Sequence, residues 1–410
     1  MKANKLKDVY KNFDPVVPLS SNSEFYVERK DSPLDEIKEY LLRENQSELK
    51  ILFSGHRGSG KSTELNQLMA DDDIQIRYFI THYSVREVLD LASLDYVDLL
   101  FSIGAEIYSK ANDLGLIYDN ELLKKLESFC NIIDKETEKG FNIGVEAGIS
   151  TNHVDSLARI LPKLRFEYTN RRKIRKRLQS RMPEMIGIIN EIIGEVKSKS
   201  GNDILVAIDD LDKPDLKTAE QLFYHRQTSL TQIKCNIIYT IPIALCYSQN
   251  YNQVKQAFTD SFILPNVSIN HKDHSANESG RRLMEELVEK RMSLDLIDME
   301  ALKHAIEMSG GVFRQMVHII NKSAAKAKSR DDNKIRKTDV ETAENEIRDE
   351  FRRILRVGDY SKLRKIHKDC RIYDSGTCAR LMHNLSVLEY KNDGRWCDVH
   401  PAVIPLLTEK

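Results

Sequence analysis

The chain has 410 residues, of which 41% are hydrophobic and 30% charged, a length typical of two or three globular domains. Its 62 Lys and Arg nearly balance 63 Asp and Glu, which excludes a uniformly basic nucleic-acid coat but leaves room for a local basic patch. The six cysteines are too scattered for a secreted disulfide framework, and the longest apolar stretch, residues 235–246, is too short to span a bilayer. We therefore expect a soluble, cytoplasmic protein with no membrane segment.

The first part of the chain alternates between helical and strand patterns. Residues 1–23 are polar and are predicted to form a loose N-terminal arm. A helix is expected over residues 34–42 and a short apolar strand over residues 49–53. A glycine-rich loop follows this strand, a helix begins near Lys61, and a further strand is predicted at residues 74–81.

The middle of the chain predicts a helical insertion and then more of the sheet. Residues 83–202 are mostly helical in pattern, except for the glycine-interrupted stretch Lys139–Ser150, which predicts a hairpin or an extended loop. The β-branched run Ile204–Ile208 is typical of a strand buried on both faces. Strands are also expected at residues 236–241 and 262–266, separated by helices. This alternation predicts an α/β fold built on a doubly wound parallel sheet.

The last part of the chain is predicted to be helical up to about residue 356. Near its end, Asp393-Gly394 separates two apolar runs, which is a strong hairpin signal. Helices followed by such a hairpin suggest a winged-helix domain.

The glycine-rich loop matches the phosphate-loop pattern G-x-x-x-x-G-K-[ST] at every fixed position, between a predicted strand and a predicted helix. Its glycines let backbone N–H groups face phosphates, and the helix N-terminus adds a favourable dipole. We expect Lys61 to contact the β and γ phosphates and Ser62 to offer its hydroxyl to Mg²⁺. The predicted nucleotide-binding residues of this segment are Gly55, His56, Arg57, Gly58, Ser59, Gly60, Lys61, Ser62 and Thr63.

A second motif follows the buried run at residues 204–208. Such a strand commonly ends in a carboxylate that holds hydrated Mg²⁺ beside a phosphate loop, and here it ends in Asp209 and Asp210. We predict that Asp209 belongs to the metal shell and that Asp210 orients or deprotonates the attacking water. The alternative is an ordinary strand end with solvated carboxylates.

Together these motifs resemble those of AAA+ ATPases, especially the branch that holds origin-recognition-type initiators and STAND signalling ATPases. The segment Phe25–Arg29 resembles the N-terminal box of that branch. The resemblance implies that Tyr26, Val27 and Arg29 lie near the adenine. The Asp-Asp-Leu-Asp run at residues 209–212 also resembles KAP ATPases.

The same resemblance extends to the later part of the chain. Thr240 matches the polar sensor 1 position after the acidic strand, and Ser309–Arg314 resembles the start of a lid helix. The resemblance implies that Arg314 faces the γ-phosphate. With the N-terminal arm and the helical segment 83–202 described above, the predicted domain order is an arm at residues 1–23, an ATPase core with a helical insertion at 24–270, a helical lid at 271–350 and a winged helix at 351–410.

Two features depart from the family pattern. First, 122 residues lie between Thr81 and Ile204, far more than a minimal AAA+ core needs there, which indicates a helical insertion. Second, oligomeric AAA+ ATPases normally supply an arginine finger from the helix before the fifth strand, but this chain has no arginine between Arg226 and Arg281. Arg226, Arg281 and Arg282 are the neighbouring candidates, and none of them matches the family position.

Two clusters outside these motifs carry charge or possible metal ligands. Residues 159–181 contain ten basic side chains and one acidic residue, Glu167, and residues 352–365 form a second basic stretch. Nucleic acid, a protein contact and a solvated surface all remain open for residues 159–181. In the tail, Cys397 and His400 have the spacing of a zinc-ligand pair, but without a Cys-x-x-Cys pair we favour core packing.

Two main functional hypotheses result, and a third interpretation, a chain that binds nucleotide without hydrolysing it, stays open. The first is an ATP- and Mg²⁺-dependent switch ATPase that self-associates and controls a separately encoded protein effector, for example in bacterial antiphage defence. The alternative is an AAA+ ATPase of the initiator or transposition-regulator type, which would bind duplex DNA through residues 159–181 and 351–410.

Overall fold

The structure, a computed structural model, describes residues 1–43, 48–116, 125, 168–373 and 375–408. The predicted hairpin or loop at Lys139–Ser150 lies outside the described residues. Among the helices within the described ranges, none is long and apolar enough to cross a membrane.

The centre of the molecule is a five-stranded parallel sheet with the strand order β2-β3-β4-β1-β5. Alternate side chains of β3 pack in separate cores: Val206 and Ile208 belong to one, and Leu205 and Ala207 to the other. Because both faces of the sheet are covered, the residues of its central strands are mostly apolar, as is typical of parallel sheets. The predicted α/β fold with a doubly wound parallel sheet is confirmed. The strands are β1 Lys50–Gly55, β2 Tyr78–Ser84, β3 Asp203–Asp209, β4 Asn236–Pro242 and β5 Asp260–Leu264.

Helices precede, connect and cover these strands. The described helices up to β5 are α1 Leu6–Asn12, α2 Leu34–Leu42, α3 Lys61–Met69, α4 Asp72–Arg77, α5 Val85–Val88, α6 Tyr96–Asp113, α7 Tyr168–Ser180, α8 Met182–Ser200, α9 Leu216–Phe223, α10 Gln227–Thr231, α11 Ile243–Cys246 and α12 Tyr251–Ala257, with a short 3-10 helix at Leu91–Ser93.

The predicted strand at residues 74–81 is only half right. Asp71 caps helix α4 by accepting hydrogen bonds from the backbone N–H groups of Asp73 and Ile74, so β2 begins only at Tyr78. The described part of the insertion is helical, as predicted, and α6, α7 and α8 contact one another on one face of the sheet.

The C-terminal part is mainly helical and ends in a two-stranded antiparallel hairpin, β6-β7. Asp393 and Gly394 both have positive φ, of 50° and 109°, which suits a tight hairpin turn and explains the Asp-Gly signal. The elements are α13 Glu278–Arg291, α14 Met299–Met308, α15 Phe313–Ser329, α16 Lys337–Ile354, α17 Val357–Asp369, α18 Ser375–His383, β6 Val387–Lys391 and β7 Arg395–Val399, with 3-10 helices at Leu294–Leu296 and Pro401–Leu407.

The predicted lid and winged-helix segments share one hydrophobic core. The expected boundary at residue 350 falls inside helix α16, and side chains from α13 to β7 belong to the same cluster. The residues beyond it do form two helices and a hairpin, and their assignment as a winged helix stays a prediction.

The N-terminal arm is packed rather than loose. Its helix α1 contacts α15, and Val9 and Phe13 are fully buried in the C-terminal core. The polar composition of the arm hides this, because only a few apolar side chains face the core.

Candidate nucleotide-binding site

The phosphate loop joins the carboxyl end of β1 to the N-terminus of α3, as the motif requires. Gly58 and Gly60 have φ of 85° and 106°, which side chains rarely tolerate. A Cβ on Gly58 would also lie 2.5 Å from the Cβ of Arg314. These two glycines let the loop turn tightly beneath the first turn of α15.

Lys61 is anchored at the base of the loop. Its Nζ donates hydrogen bonds of 2.9 Å to the carbonyl oxygens of Gly55 and His56 and lies 2.8 Å from Oδ2 of Asp212. Burial opposes the ionisation of Asp212, but Lys61 and then Arg57 outweigh it and hold the pKa of this carboxyl below its ordinary value. Lys61 and Asp212 thus form a buried ion pair at the site where the sequence predicts phosphate.

Asp209 and Ser62 meet at the same edge of the sheet. The Ser62 side chain hydrogen-bonds to Asp209, while burial and then the nearby Asp212 raise the pKa of Asp209 to about 6. Oxygen atoms of Asp209, Asp210 and Asp212 lie within 4.8 Å of one another. A hydroxyl beside clustered carboxylates offers the oxygen ligands that Mg²⁺ prefers, and a cation would favour the ionised form of Asp209.

Asp210 is held by groups at the end of β2 and in its own turn. It adopts a φ of 67°, accepts a 2.7 Å hydrogen bond from the hydroxyl of Ser84 and lies 2.7 Å from Nζ of Lys213. Nε of Arg86 is 3.7 Å away on the solvent side. Asp210 also lines the cavity described next, and Lys213 and Arg86 lie close to its carboxylate.

A cavity opens beside these groups, between the N-terminal segment, the phosphate loop and the start of α15. Of the predicted ligands, Tyr26, Val27, Arg57, Gly58, Gly60, Lys61, Ser62, Thr63, Asp210 and Arg314 line it. Residues 14–19 of the arm cover one side, and Phe313 borders it as well. The fold thus brings separate predicted motifs together around one space.

Arg29 supports this cavity from outside it. Its guanidinium is buried, donates hydrogen bonds to the carbonyl oxygens of Ser59 at 2.9 Å and Pro265 at 2.6 Å, and pairs with Asp31. It also lies 5.2 Å from the ring centre of Phe313. Arg29 therefore connects the phosphate loop to β5 and α15.

Thr240 has a similar supporting position. Its hydroxyl donates to the carbonyl oxygen of Ile208 and accepts from the N–H of Leu211, both at 3.0 Å. These bonds shape the turn that carries Asp209 and Asp210. Its role as sensor 1 stays a prediction.

Arg314 reaches the loop through its backbone. Its N–H donates a 3.1 Å hydrogen bond to the carbonyl oxygen of Gly58, and its side chain is exposed at the cavity. The start of α15 is therefore bonded directly to the phosphate loop.

The phosphate loop also contacts the C-terminal hairpin. Nε2 of His56 accepts a 2.9 Å hydrogen bond from the backbone N–H of Glu389 in β6, and burial followed by Lys61 lowers the pKa of His56 to about 3. Its neighbour Arg57 lies 3.1 Å from Nε2 of His383. A neutral histidine in the loop thus carries a contact that its sequence position does not reveal.

Sequence reasoning missed the roles of two residues. In the sequence Asp212 is only one member of an acidic run, but in the structure it is the ion-pair partner of Lys61. Arg86 follows β2 directly, and its position at the carboxyl edge of the sheet was the available signal. Arg281 and Arg282 interact within their own region, with Glu307 and with Glu285.

The basic segment at residues 159–181 is partly consumed by internal ion pairs. Arg171 lies 2.6 Å from Asp90, and Arg175 pairs with the buried Asp98. Glu167 is the only acidic residue within this segment of the sequence, but in the structure α6 and the turn before it supply further acidic partners. The described basic side chains exposed on α7 are Arg172, Lys173, Lys176 and Arg177.

No family model matches the chain, and no curated protein matches it in sequence. Among solved structures, Cdc6p from Pyrobaculum aerophilum is similar over 97% of each chain, with 11% identity and a TM-score of 0.42. The ORC2 protein of Aeropyrum pernix in its ADP form covers 97% of this chain and 95% of its own, with 11% identity and a TM-score of 0.41. The Thermotoga maritima RuvB Holliday junction branch migration motor covers 92% of each chain, with 12% identity and a TM-score of 0.35. The site assignment therefore rests on its own geometry.

Proposed function

We propose that this protein is an AAA+ ATPase that binds ATP with Mg²⁺ in the cavity beside the phosphate loop. The observation that carries the proposal is that Lys61 and Ser62 line this cavity and that the Ser62 side chain hydrogen-bonds to Asp209 at the end of β3. Lys61 would hold the β and γ phosphates, and Ser62 and Asp209 would hold the metal. Mg²⁺, when bound, neutralises phosphate charge. Tyr26, Val27 and Thr63 would border the rest of the nucleotide.

Binding would exchange one partner of Lys61 for another. The γ-phosphate competes with Asp212 for the same ammonium group, whose Nζ lies 2.8 Å from Asp212. Arg314, at the cavity, would contact the phosphate at the same time, so nucleotide would hold α15 against the loop. Such a ligand shifts a population because it contacts one arrangement better than the other.

Hydrolysis would be in-line attack by water, with Asp210 as the group that orients or deprotonates it. Ser84 and Lys213 hold this carboxylate, so its action requires it to leave at least one of them. Thr240 would position the turn that carries Asp210. Arg86, whose Nε lies 3.7 Å from Asp210, would supply a positive charge beside this carboxylate from within the same chain.

We further propose that the nucleotide state is read by a partner. The hydrogen bonds that Glu389 donates to His56 and that Arg314 donates to Gly58 link the loop to the C-terminal hairpin and to α15. A change at the phosphates would therefore reach surfaces that an effector or another copy of the chain would contact. A switch of this kind, acting with a separately encoded effector, suits antiphage defence.

Duplex DNA is the second candidate partner, and one observation favours it. Helix α7 exposes Arg172, Lys173 and Lys176 on the face opposite its buried Ile174 and Leu178. A row of cations on one helix face suits a phosphate backbone. Exposed Arg353 and Lys365 lie in the C-terminal segment 351–410, which would form the other part of such a surface.

Single-turnover ATP hydrolysis and equilibrium ATP binding test the proposal together. Asp210→Asn should retain ATP affinity and slow hydrolysis by about 100-fold, within the range of general base catalysis. Asp212→Asn should retain or tighten ATP binding, because it frees Lys61 from its carboxylate. Lys217→Ala, at an exposed position on α9, is the control and should match the wild type. Hydrolysis by Asp210→Asn at the wild-type rate would show that Asp210 is not the base.

Self-association is tested separately by mass photometry of the chain with ADP or a slowly hydrolysed ATP analogue, with and without duplex DNA. Growth that needs both analogue and DNA favours the DNA-binding candidate. Particles that ignore DNA favour the effector-controlling switch.

A further inference from the structure

A second cluster of metal-ligand side chains lies far along the chain from the phosphate loop. His274, His367 and Asp398 each offer one ligand atom, and these atoms lie within 4.8 Å of one another. Nδ1 of His367 is 2.8 Å from Oδ1 of Asp398, and Nδ1 of His274 is 3.4 Å from Oδ2 of the same carboxylate. All three residues line one cavity.

The cluster joins three elements that are separate in the sequence. His274 is in the connection between β5 and α13, His367 is in the last turn of α17, and Asp398 is in β7. No local spacing motif brings them together. The pair that the sequence singled out separates instead, because His400 is fully buried beside Phe351 and Cys397 lies next to Tyr247.

The loop that carries His274 is closed and short. Asn270 and Ala276 form an antiparallel bridge at its base, and the N–H of His274 bonds to the carbonyl oxygen of His271 at 2.9 Å. These bonds hold the backbone of the loop, and with it the position of His274, without help from the cluster itself. A site whose ligands are held by the fold loses less conformational entropy on binding.

The far side of the His274 ring also has a partner. Its Nε2 lies 3.7 Å from Sγ of Cys370, while its Nδ1 points to Asp398. A metal-ligating histidine commonly has its second ring nitrogen hydrogen-bonded, which sets the tautomer and the ring orientation. Cys370 fits that orienting position.

The donor set selects the class of metal. Imidazole nitrogens suit Zn²⁺ and similar transition metals, whereas Mg²⁺ and Ca²⁺ prefer oxygen ligands. Two imidazoles and one carboxylate are a known zinc-ligand combination that leaves a fourth position for water. Asp398 is the most buried of the three side chains at 12% exposure, while His274 and His367 reach solvent through the cavity.

We propose that His274, His367 and Asp398 bind one Zn²⁺ ion through the two Nδ1 atoms and the carboxylate. The ion fastens the connection between the sheet and α13 to the C-terminal hairpin. That hairpin also carries Glu389, the residue bonded to His56 of the phosphate loop. The zinc site does not depend on ATP binding.

The test is the zinc content of the full-length protein after loading with Zn²⁺ in excess Mg²⁺ and dialysis, measured by mass spectrometry of the metal. The excess Mg²⁺ occupies the all-oxygen cluster of Asp209, Asp210 and Asp212, so that it does not retain zinc. Wild type should retain about one zinc per chain. His274→Ala, a change in an exposed loop, and Asp398→Asn should each lower this by at least 10-fold, in line with the loss of one metal ligand.

His271→Ala is the matched control, because His271 lies in the same loop but faces Asn392 instead of the cluster. It should retain zinc like the wild type. Zinc should also raise the melting temperature of wild type and His271→Ala but not of His274→Ala, and this second measurement does not depend on whether Asp398→Asn folds.

Two results would overturn the proposal. Wild type without retained zinc would leave these residues as a hydrogen-bonded ion pair only. Equal zinc retention by His274→Ala and wild type would place the metal elsewhere.

Discussion

The phosphate-loop edge of the sheet and helix α7 are both rich in charge, yet the structure uses that charge differently. At the sheet edge, Lys61 and its partner Asp212 line a cavity. On α7, Arg171 and Arg175 turn inward and pair with acidic residues of neighbouring elements. The density of charged residues along a sequence therefore shows how many charged side chains a segment has. It does not show how many of them are accessible to a ligand.

The difference has a physical origin. A buried charged side chain needs a partner of opposite charge. For Asp98 of α6 that partner is Arg175 of α7. In the phosphate loop the partner of Lys61 is also internal, but it lies at the wall of an open cavity, where under the proposed function a phosphate of ATP would replace it.

The largest expected effect is at Lys61. Lys61→Ala should weaken ATP binding by roughly 100-fold, because it removes a buried cation that would face phosphate. The same change leaves Asp212 buried without its main partner and should lower stability. Isothermal titration with ATP and urea unfolding measure the two effects.

A double variant separates them. Lys61→Ala with Asp212→Asn should recover most of the lost stability but none of the lost ATP affinity. Recovery of ATP binding in the double variant would show that Lys61 acts only as a structural partner of Asp212.

The next effect concerns α7. Arg175→Ala should lower the free energy of unfolding by roughly 3 kcal/mol, because it leaves the carboxyl of Asp98 buried without its cation. Burial already raises the pKa of Asp98 to about 6 despite Arg175. The exposed Lys176 on the same helix is the matched control, and Lys176→Ala should change stability by less than about 0.5 kcal/mol. Equal urea midpoints for the two variants would contradict an internal role for Arg175.

A pH effect is expected from His400. Burial lowers its pKa from 6.5 to about 3, so the unfolded chain binds a proton in that pH range and the folded protein does not. Stability is therefore lost as the pH falls below about 6.5, and this one group should contribute roughly 2 kcal/mol of that loss between about pH 7 and pH 5.

His400→Asn tests this assignment. Asparagine would still accept the hydrogen bond from the N–H of Ala402 but would not titrate. Urea unfolding at the two pH values should show a loss smaller by that amount in the variant. An unchanged pH dependence would mean that His400 does not contribute to it.

The smallest effect on the folded protein is expected from the exposed face of α7. Changing Arg172, Lys173 and Lys176 together to alanine should leave stability and ATP binding nearly unchanged, because all three are exposed. If duplex DNA binds this face, the slope of log affinity against log salt should fall by about 0.9 for each lost phosphate contact. A slope and affinity equal to wild type would exclude this helix from a DNA interface.

Sequence reasoning located the regular elements well where the pattern was strong. The buried run at residues 204–208 and the Asp-Gly turn predicted β3 and the final hairpin, because continuous β-branched residues and positive φ each have few alternatives. It did worse at residues 74–81, where a capped helical turn precedes the strand. The prediction of a loose arm was also wrong. Val9 and Phe13 are buried by helices that lie far away in the sequence, and the local pattern does not show such contacts.

Sequence patterns alone were sufficient to predict the phosphate loop, the acidic strand end and the parallel sheet to which both belong. Each depends on contiguous residues whose chemistry and periodicity act locally. Three contacts are evident only in the folded structure. Asp212 pairs with Lys61, Arg175 pairs with Asp98, and His56 contacts the final hairpin. Those outcomes depend on which buried group lies opposite another, and a linear pattern does not record which residues the fold brings together over separations of 77 to 333 positions.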